Sequence, residues 1–184
     1  MAVVKVVLTY EDYAALPNDG KRYEILDGEL SVSPAPSPSH QHVVLRLGSA
    51  LDAHTTSGGL GKVYIAPFDV ILFDTTIVQP DVLFFSTDRQ AIISSRGAEG
   101  APTLVVEILS PWSVRNDRTT KFHLYARYGV PFYWIVDLEH RVIEVFRLEA
   151  HGYRAAEAFR GEGLVDLPPF SGLRLDPAML WPTT

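Results

Sequence analysis

Two carboxylates and one lysine occupy positions where chemistry is a better reason for them than packing. Asp81 opens the apolar run "QPDVLFF", Gln79 to Phe85, and Glu107 interrupts the apolar run "LVVEILSP", Leu104 to Pro111. A lone ionised carboxylate among Val, Ile and Leu is costly unless it is paired or bound to a metal. If the two strands are neighbours, both carboxylates converge at one end of a sheet. Close together they repel and raise each other's pKa unless a cation sits between them. A ligand set made only of oxygen suits a hard divalent ion, magnesium or manganese. Lys121 follows Asp117 by four residues, so the two share a helix face. A helix entering directly after the glutamate strand folds back over the sheet and brings that lysine towards the acids. Two carboxylates, a divalent ion and a lysine are the parts needed to hydrolyse a phosphodiester. The ion lowers the pKa of a bound water, and the lysine offsets charge that develops on phosphorus.

Each of these residues also has a plainer role open to it. Asp81 could cap a turn before its strand. Glu107 could pair with Arg115 or Arg118 as a buried structural ion pair. Lys121 could form an i,i+4 surface pair with Asp117. Tyr133 and Trp134 read as core or dimer-interface aromatics. His40 and His42 flank a helix start as caps or solvent-facing groups. The basic segment "VRNDRTTKFHLYAR", Val114 to Arg127, is a solvated helix face or a place to hold a phosphate.

The elements that must position these residues are legible from local signals. "TYEDYAALP", Thr9 to Pro17, is a short helix with Thr9 as its cap and Asp12 three residues on. "RYEILDGELSVS" is a hairpin around Asp27-Gly28, the dipeptide suited to a type I′ turn. "SPAPSPS", Ser33 to Ser39, is a rigid connector that ends in a helix N-cap. "HQHVVLRLGSALDAH" is helical, with Val43, Leu47 and Leu51 every four residues, and Gly58, Gly59 and Gly61 end it. Strands follow at "KVYIA", "FDVILF", "IVQPDVLFF" and "TLVVEIL", with a tight turn at Asp74-Thr75-Thr76. The segment Ser86 to Pro102 is a long connection with no clear pattern. "NDRTTKFHLYARYG" is one helix, stopped by Gly129-Val130-Pro131. "FYWIVDL" and "RVIEVFRL" form a second hairpin across Glu139-His140, and a shorter tail of strand and loop completes the chain. The pattern is a mixed α+β or α/β arrangement, a mixed central sheet with helices on its faces.

Composition sets the outer limits. The 184 residues suit one domain spanning 1–184, and a chain of this size buries about 70% of its unfolded surface. Hydrophobic residues make up 47%, a globular composition. With no cysteine, disulfides, thiolate chemistry and cysteine-built zinc sites are excluded. The N-terminal "MAVVKVVLTYEDY" does not read as a signal peptide, and no apolar run reaches the roughly 18 residues that span a bilayer. The expected location is the cytoplasm, away from membranes. The net charge of −6 disfavours non-specific binding to a phosphate backbone.

Taken in order, "YEILDGEL", "SPAPSPSHQ", "QPDVLFF", "APTLVVEILSP", "NDRTTKFHLYARYGVPFYWIVD" and "RVIEVFRL" resemble the Uma-two family of restriction-endonuclease-like proteins, within the PD-(D/E)xK nuclease superfamily. The resemblance covers nearly the whole chain and rests on the ordered set, since a Pro-Asp pair alone occurs by chance. It implies a restriction-endonuclease-like core with Asp81 and Glu107 as ligands of Mg2+ or Mn2+. The superfamily lysine normally lies two residues after the glutamate, where this chain has Leu109. The resemblance implies that Lys121, on the following helix, replaces it. It also makes Glu24 an additional acid at the site and matches His40-Gln41 to a recurrent pair at the helix start. Phe132 departs from the family, which usually carries Glu there.

The expected activity is therefore metal-dependent hydrolysis of nucleic acid, DNA in the first instance. A separate recognition domain is lacking, so target choice falls to loops, a homodimer or a partner protein. A non-catalytic interaction or assembly module on the same fold is the alternative, motivated by the displaced lysine and the acidic charge. A carboxylate-pair hydrolase acting on sugars ranks last, because nothing else in the chain offers a sugar platform.

Overall fold

The structure, a computed structural model, describes residues 6–160 and 165–182. The first helix, α1 (Tyr10–Ala14), starts at Thr9. The Asp12 carboxylate accepts from both the backbone N–H and the hydroxyl of Thr9, at 2.9 and 3.0 Å. Strands β1 (Arg22–Leu26) and β2 (Glu29–Ser33) pair antiparallel with Leu26 opposite Glu29. Asp27 and Gly28 both have positive φ, 54° and 84°, as a type I′ turn requires. Ser37 caps the 20-residue helix α2 (Pro38–Ser57), its hydroxyl accepting from the backbone N–H of His40. After α2 come β3 (Gly61–Ile65), β4 (Val70–Phe73), β5 (Thr76–Val78) and β6 (Val82–Ser86).

The run "IVQPDVLFF", expected as one strand, is two. β5 joins one sheet and β6 another, and Gln79-Pro80-Asp81 carries the chain between them. Proline has no N–H to donate to a ladder, so pairing ends there. The connection Ser86 to Pro102, without clear pattern in the sequence, holds a short 3₁₀ turn at Thr87–Ile92 and two short strands, β7 (Ile93–Ser94) and β8 (Gly97–Ala98). β9 (Leu104–Ile108) follows.

The helix expected over "NDRTTKFHLYARYG" is broken. α3 (Val114–Arg118) and α4 (Thr120–Arg127) meet at Thr119, whose φ and ψ of −126° and −78° are not helical. Two adjacent β-branched threonines sit at the break, residues with little preference for helix. β10 (Phe132–Asp137), β11 (Val142–Glu149) and β12 (Gly152–Arg160) come next. The tail then holds β13 (Val165–Asp166), β14 (Arg174–Leu175) and a 3₁₀ turn at Pro177–Met179. The tail was expected to be minor, yet its nine-residue β12 pairs with β11 along its length. Residues 161–164 and 183–184 of that tail, like the first five of the N-terminal run, lie outside the described residues.

The mixed α and β architecture expected from the sequence is present, as two six-stranded sheets instead of one central sheet. Their orders are β2-β1-β5-β4-β8-β7 and β12-β11-β10-β9-β6-β3. β9 and β10 run parallel, joined by α3 and α4, while β9 and β6 are antiparallel. Alternation along β6 and β9 divides the core. Val82, Phe84, Leu104 and Val106 pack with Val43, Leu47 and Leu51 of α2. Leu83, Phe85 and Val105 pack on the other face with Leu124 and Tyr125 of α4 and with Leu26, Val70 and Val78 of the second sheet. Each such fully buried side chain stabilises by about 1.5–3 kcal/mol. Tyr133 and Trp134 are both in this core, with no exposed surface. No helix among the described residues is long and apolar enough to cross a membrane.

Candidate active site

Val82 pairs with Val106 across β6 and β9, so the register carries on to place Asp81 opposite Glu107. Both carboxylates are therefore at one end of the strand pair, and each is 1% exposed. Asp81 is held by three elements at once. Its Oδ1 accepts from Arg22 Nη1 of β1 at 2.8 Å, and its Oδ2 accepts from the backbone N–H of Ile108 at 2.8 Å. His40 Nε2, at the start of α2, lies 3.1 Å from Asp81 Oδ2 and 3.1 Å from the Ile108 carbonyl oxygen. Two acceptors on one ring nitrogen make Nε2 the protonated one. Burial alone would raise the Asp81 pKa, but His40, Arg22 and the Ile108 amide outweigh it and hold the carboxyl below its ordinary range.

Glu107 is held differently. Its Oε1 accepts from Lys121 Nζ at 3.0 Å and from the Tyr125 hydroxyl at 2.6 Å, both groups on α4. The same lysine lies 2.9 Å from Glu24 Oε1 and 3.5 Å from Asp117 Oδ1. Glu24 Oε1 also accepts from the Gln79 N–H at 2.8 Å. Neither Asp117 oxygen makes a well-formed hydrogen bond, although both are buried. One cation thus serves three carboxylates. Burial lifts the Glu107 carboxyl well above its usual value; Lys121 opposes the lift, and Asp117, Asp81 and Glu24 add to it. Burial likewise pushes Asp117 up to about 6. For Lys121, burial works against the charge, but Glu107, Glu24 and Asp117 win and raise its pKa well above the ordinary lysine value. The lysine stays charged, and Glu107 and Asp117 hold their protons more firmly than exposed carboxyls do.

Around these groups is a cavity of about 1020 Å³, lined at depth by Arg22, Glu24, His40, Asp81, Glu107 and Lys121. Against this geometry, the sequence pattern of a family described as "Putative restriction endonuclease", Uma2, matches residues 10–178. The chain belongs to the Uma2 family. A crystal structure from Anabaena variabilis ATCC 29413, described as a putative nuclease belonging to DUF820, superposes with a TM-score of 0.77. That protein is 21% identical to this family member, over 95% of this chain and 97% of the other, so the likeness is one of fold. No curated protein matches the chain.

In this Uma2 member, the residues picked from the sequence come together. Asp81, Glu107, Lys121 and Glu24 all line one cavity. The plainer roles are not the ones observed for Lys121 and Glu107. Lys121 is 2% exposed and no surface partner of Asp117. Glu107 pairs with neither Arg115 nor Arg118; Arg118 instead reaches Glu144 at 2.6 Å and Asp137 at 3.5 Å. Glu24 is buried, not solvent-facing. The basic segment is no single solvated face, since Lys121 is turned inward while Arg115 and Arg118 are exposed. Sequence reasoning missed Arg22, Asp117, Tyr125 and the placement of His40. The His-Gln pair was the one available signal for His40. Nothing in the local sequence marks Arg22, which arrives from 59 residues away.

A divalent ion fits the donor set. Asp81, Glu107, Glu24 and Asp117 bring four negative charges when ionised, against two positive charges on Arg22 and Lys121. Both oxygens of buried Asp117 lack a hydrogen-bond partner within this acid-rich set. Asp81 and Glu107 are the oxygen ligands that could hold a divalent ion. Among the described residues, no three His, Asp or Glu side chains converge as a ready-made metal cage.

Proposed function

We propose that this protein is a metal-dependent endonuclease that hydrolyses phosphodiester bonds in DNA, with Asp81 and Glu107 holding Mg2+ or Mn2+ and Lys121 assisting. The observation that carries this reading is the single cavity in which a buried acid pair of matched register shares its charge with a lysine from the next helix. Family membership supports nuclease chemistry. When bound, the ion supplies a water of lowered pKa and a positive charge facing the phosphate.

The chain's own residues do the rest. Asp81 stays ionised because Arg22, His40 and the Ile108 amide hold it so. Glu107 is fixed in direction by Tyr125 and Lys121. Lys121, protonated and fixed between Glu24 and Glu107, presents a fixed charge that needs no reorganisation as negative charge grows on phosphorus. Burial of the whole set lowers the local dielectric and strengthens each of these interactions.

The test is cleavage of plasmid and oligonucleotide DNA with manganese, comparing wild type with Asp81→Asn and Glu107→Gln. The reading expects each variant to lose at least ~100-fold in rate, the cost typical of removing one such group. Cutting that persists unchanged in both variants belongs to a contaminant and removes the support. A second reading, a non-catalytic assembly module, draws on one observation: both Asp81 oxygens already accept from protein donors. It expects no metal-dependent turnover by the wild type on any nucleic acid.

A further inference from the structure

The lip of the cavity is unlike its floor. Two loops form it: Ser33–Ser37, with Pro34 and Pro36, and Ser110–Ser113, with Pro111 and Trp112. Trp112 is 75% exposed, whereas the other two tryptophans, Trp134 and Trp181, are buried. No aromatic or cationic neighbour stacks on Trp112 among the described residues. The chain thus places a large flat apolar group in water at the mouth of the cavity, five residues after Glu107, on a loop stiffened by the proline before it.

Two further features bear on what such a lip accepts. The acids and Lys121 are almost wholly buried at the floor, so a reacting phosphate must enter the cavity to meet them. An unpaired strand can thread a nucleotide inward, whereas a duplex carries its phosphates on the outside of a stiff rod. The net charge of −6 also limits affinity from counterion release. Binding energy must then come from contacts that do not depend on charge, and base stacking on an aromatic ring is such a contact.

We infer that Trp112 is a base-stacking platform and that the substrate enters as an unpaired DNA strand, with a base seated on the indole and the neighbouring phosphate directed to the floor. This rests on the nuclease reading above and narrows it to single-stranded DNA or unpaired segments within duplexes. Trp112 is a specificity-determining residue in this scheme and takes no part in proton transfer.

The experiment uses the full chain with a fluorescein-labelled, unstructured 12-nucleotide DNA and a duplex of the same sequence, without added divalent metal. Binding is read by anisotropy and by quenching of intrinsic tryptophan fluorescence. The single strand is expected to bind more tightly than the duplex and to quench the wild-type emission. Trp112→Ala should weaken single-strand binding about 10-fold and abolish the quench, while Trp112→Phe should stay within about 3-fold of wild type. Because Trp112 is exposed, the variant folds as wild type does, which circular dichroism checks. Equal single-strand affinity in Trp112→Ala, or a preference for the duplex, overturns the inference. Manganese-dependent cleavage by the same samples separates the two failures. Cutting that is indifferent to Trp112 sinks the stacking role alone, whereas no binding and no cutting of either DNA sinks both.

Discussion

Lys121 Nζ stands 3.0 Å from Glu107 Oε1, and the two residues come from different elements, a helix and a strand. The position two residues after Glu107, just past the end of β9, is Leu109, which packs in the core with Leu124 and Tyr125 of α4. The ammonium therefore reaches the acid from the helix side, where it also meets Glu24 and Asp117. Removing it leaves three buried acids without their cation. Breaking a buried pair from one side costs about 3–5 kcal/mol. Lys121→Met should lower stability by that order in urea denaturation and abolish metal-dependent cleavage. A variant as stable as wild type would mean that the acids are already neutral without the lysine.

Stability should fall as pH rises from about 5 to 7.5 in the metal-free protein. Asp117 has a folded pKa of about 6, above its ordinary 3.8, so the folded state binds the extra proton between those values. Stability then decreases with pH across that window. A rise of about two units corresponds to about 3 kcal/mol over the whole transition, of which about half is lost between pH 5 and 7.5. Glu107, also raised, extends the decline to higher pH. Asp81 is lowered and acts in the opposite sense, but its stabilisation is already fully present by pH 5 and is lost only at lower pH. Urea midpoints at pH 5 and 7.5 in EDTA test this, with Asp117→Asn as the comparison. The variant should lose most of the decline, and a wild-type profile that is flat or rising over this range would contradict the charge excess.

His40 and Gln41 are neighbours with opposite expected effects. His40 Nε2 donates to buried, ionised Asp81, whereas Gln41 is exposed on the outer side of α2. A hydrogen bond to a charged group contributes about 1.5–3 kcal/mol. His40→Ala should cost that much in chemical denaturation, and Gln41→Ala less than about 0.5 kcal/mol. Equal effects from the two would place His40 outside the network.

What the sequence revealed divides along the range of the interactions. The Asp27-Gly28 turn, the Thr9 cap and the apolar spacing of α2 are local, and each was readable. The pairing of Asp81 with Glu107 was readable once their strands are taken as neighbours, because an acid in an apolar strand needs a partner. Arg22 and His40 were not readable as its clamps. They reach Asp81 across 59 and 41 residues; nothing near Arg22 signals that, and the His40-Gln41 pair marks His40 without naming its partner. The split at Pro80 was available from proline's missing donor, but the apolar run around it dominated the reading. The break at Thr119 depends on packing. Tyr125, Leu124 and Lys121 all face the sheet, so α4 takes its direction from Glu107 and the core and not from α3.

The most direct test of the account is a crystal of the wild-type protein soaked in millimolar manganese, with data recorded at a wavelength where manganese scatters anomalously. The account predicts one strong peak bound by Asp81 and Glu107, with Lys121 beside it and the His40 contact to Asp81 rearranged. An empty site, with Asp81 still held by Arg22, His40 and the Ile108 amide, would contradict it.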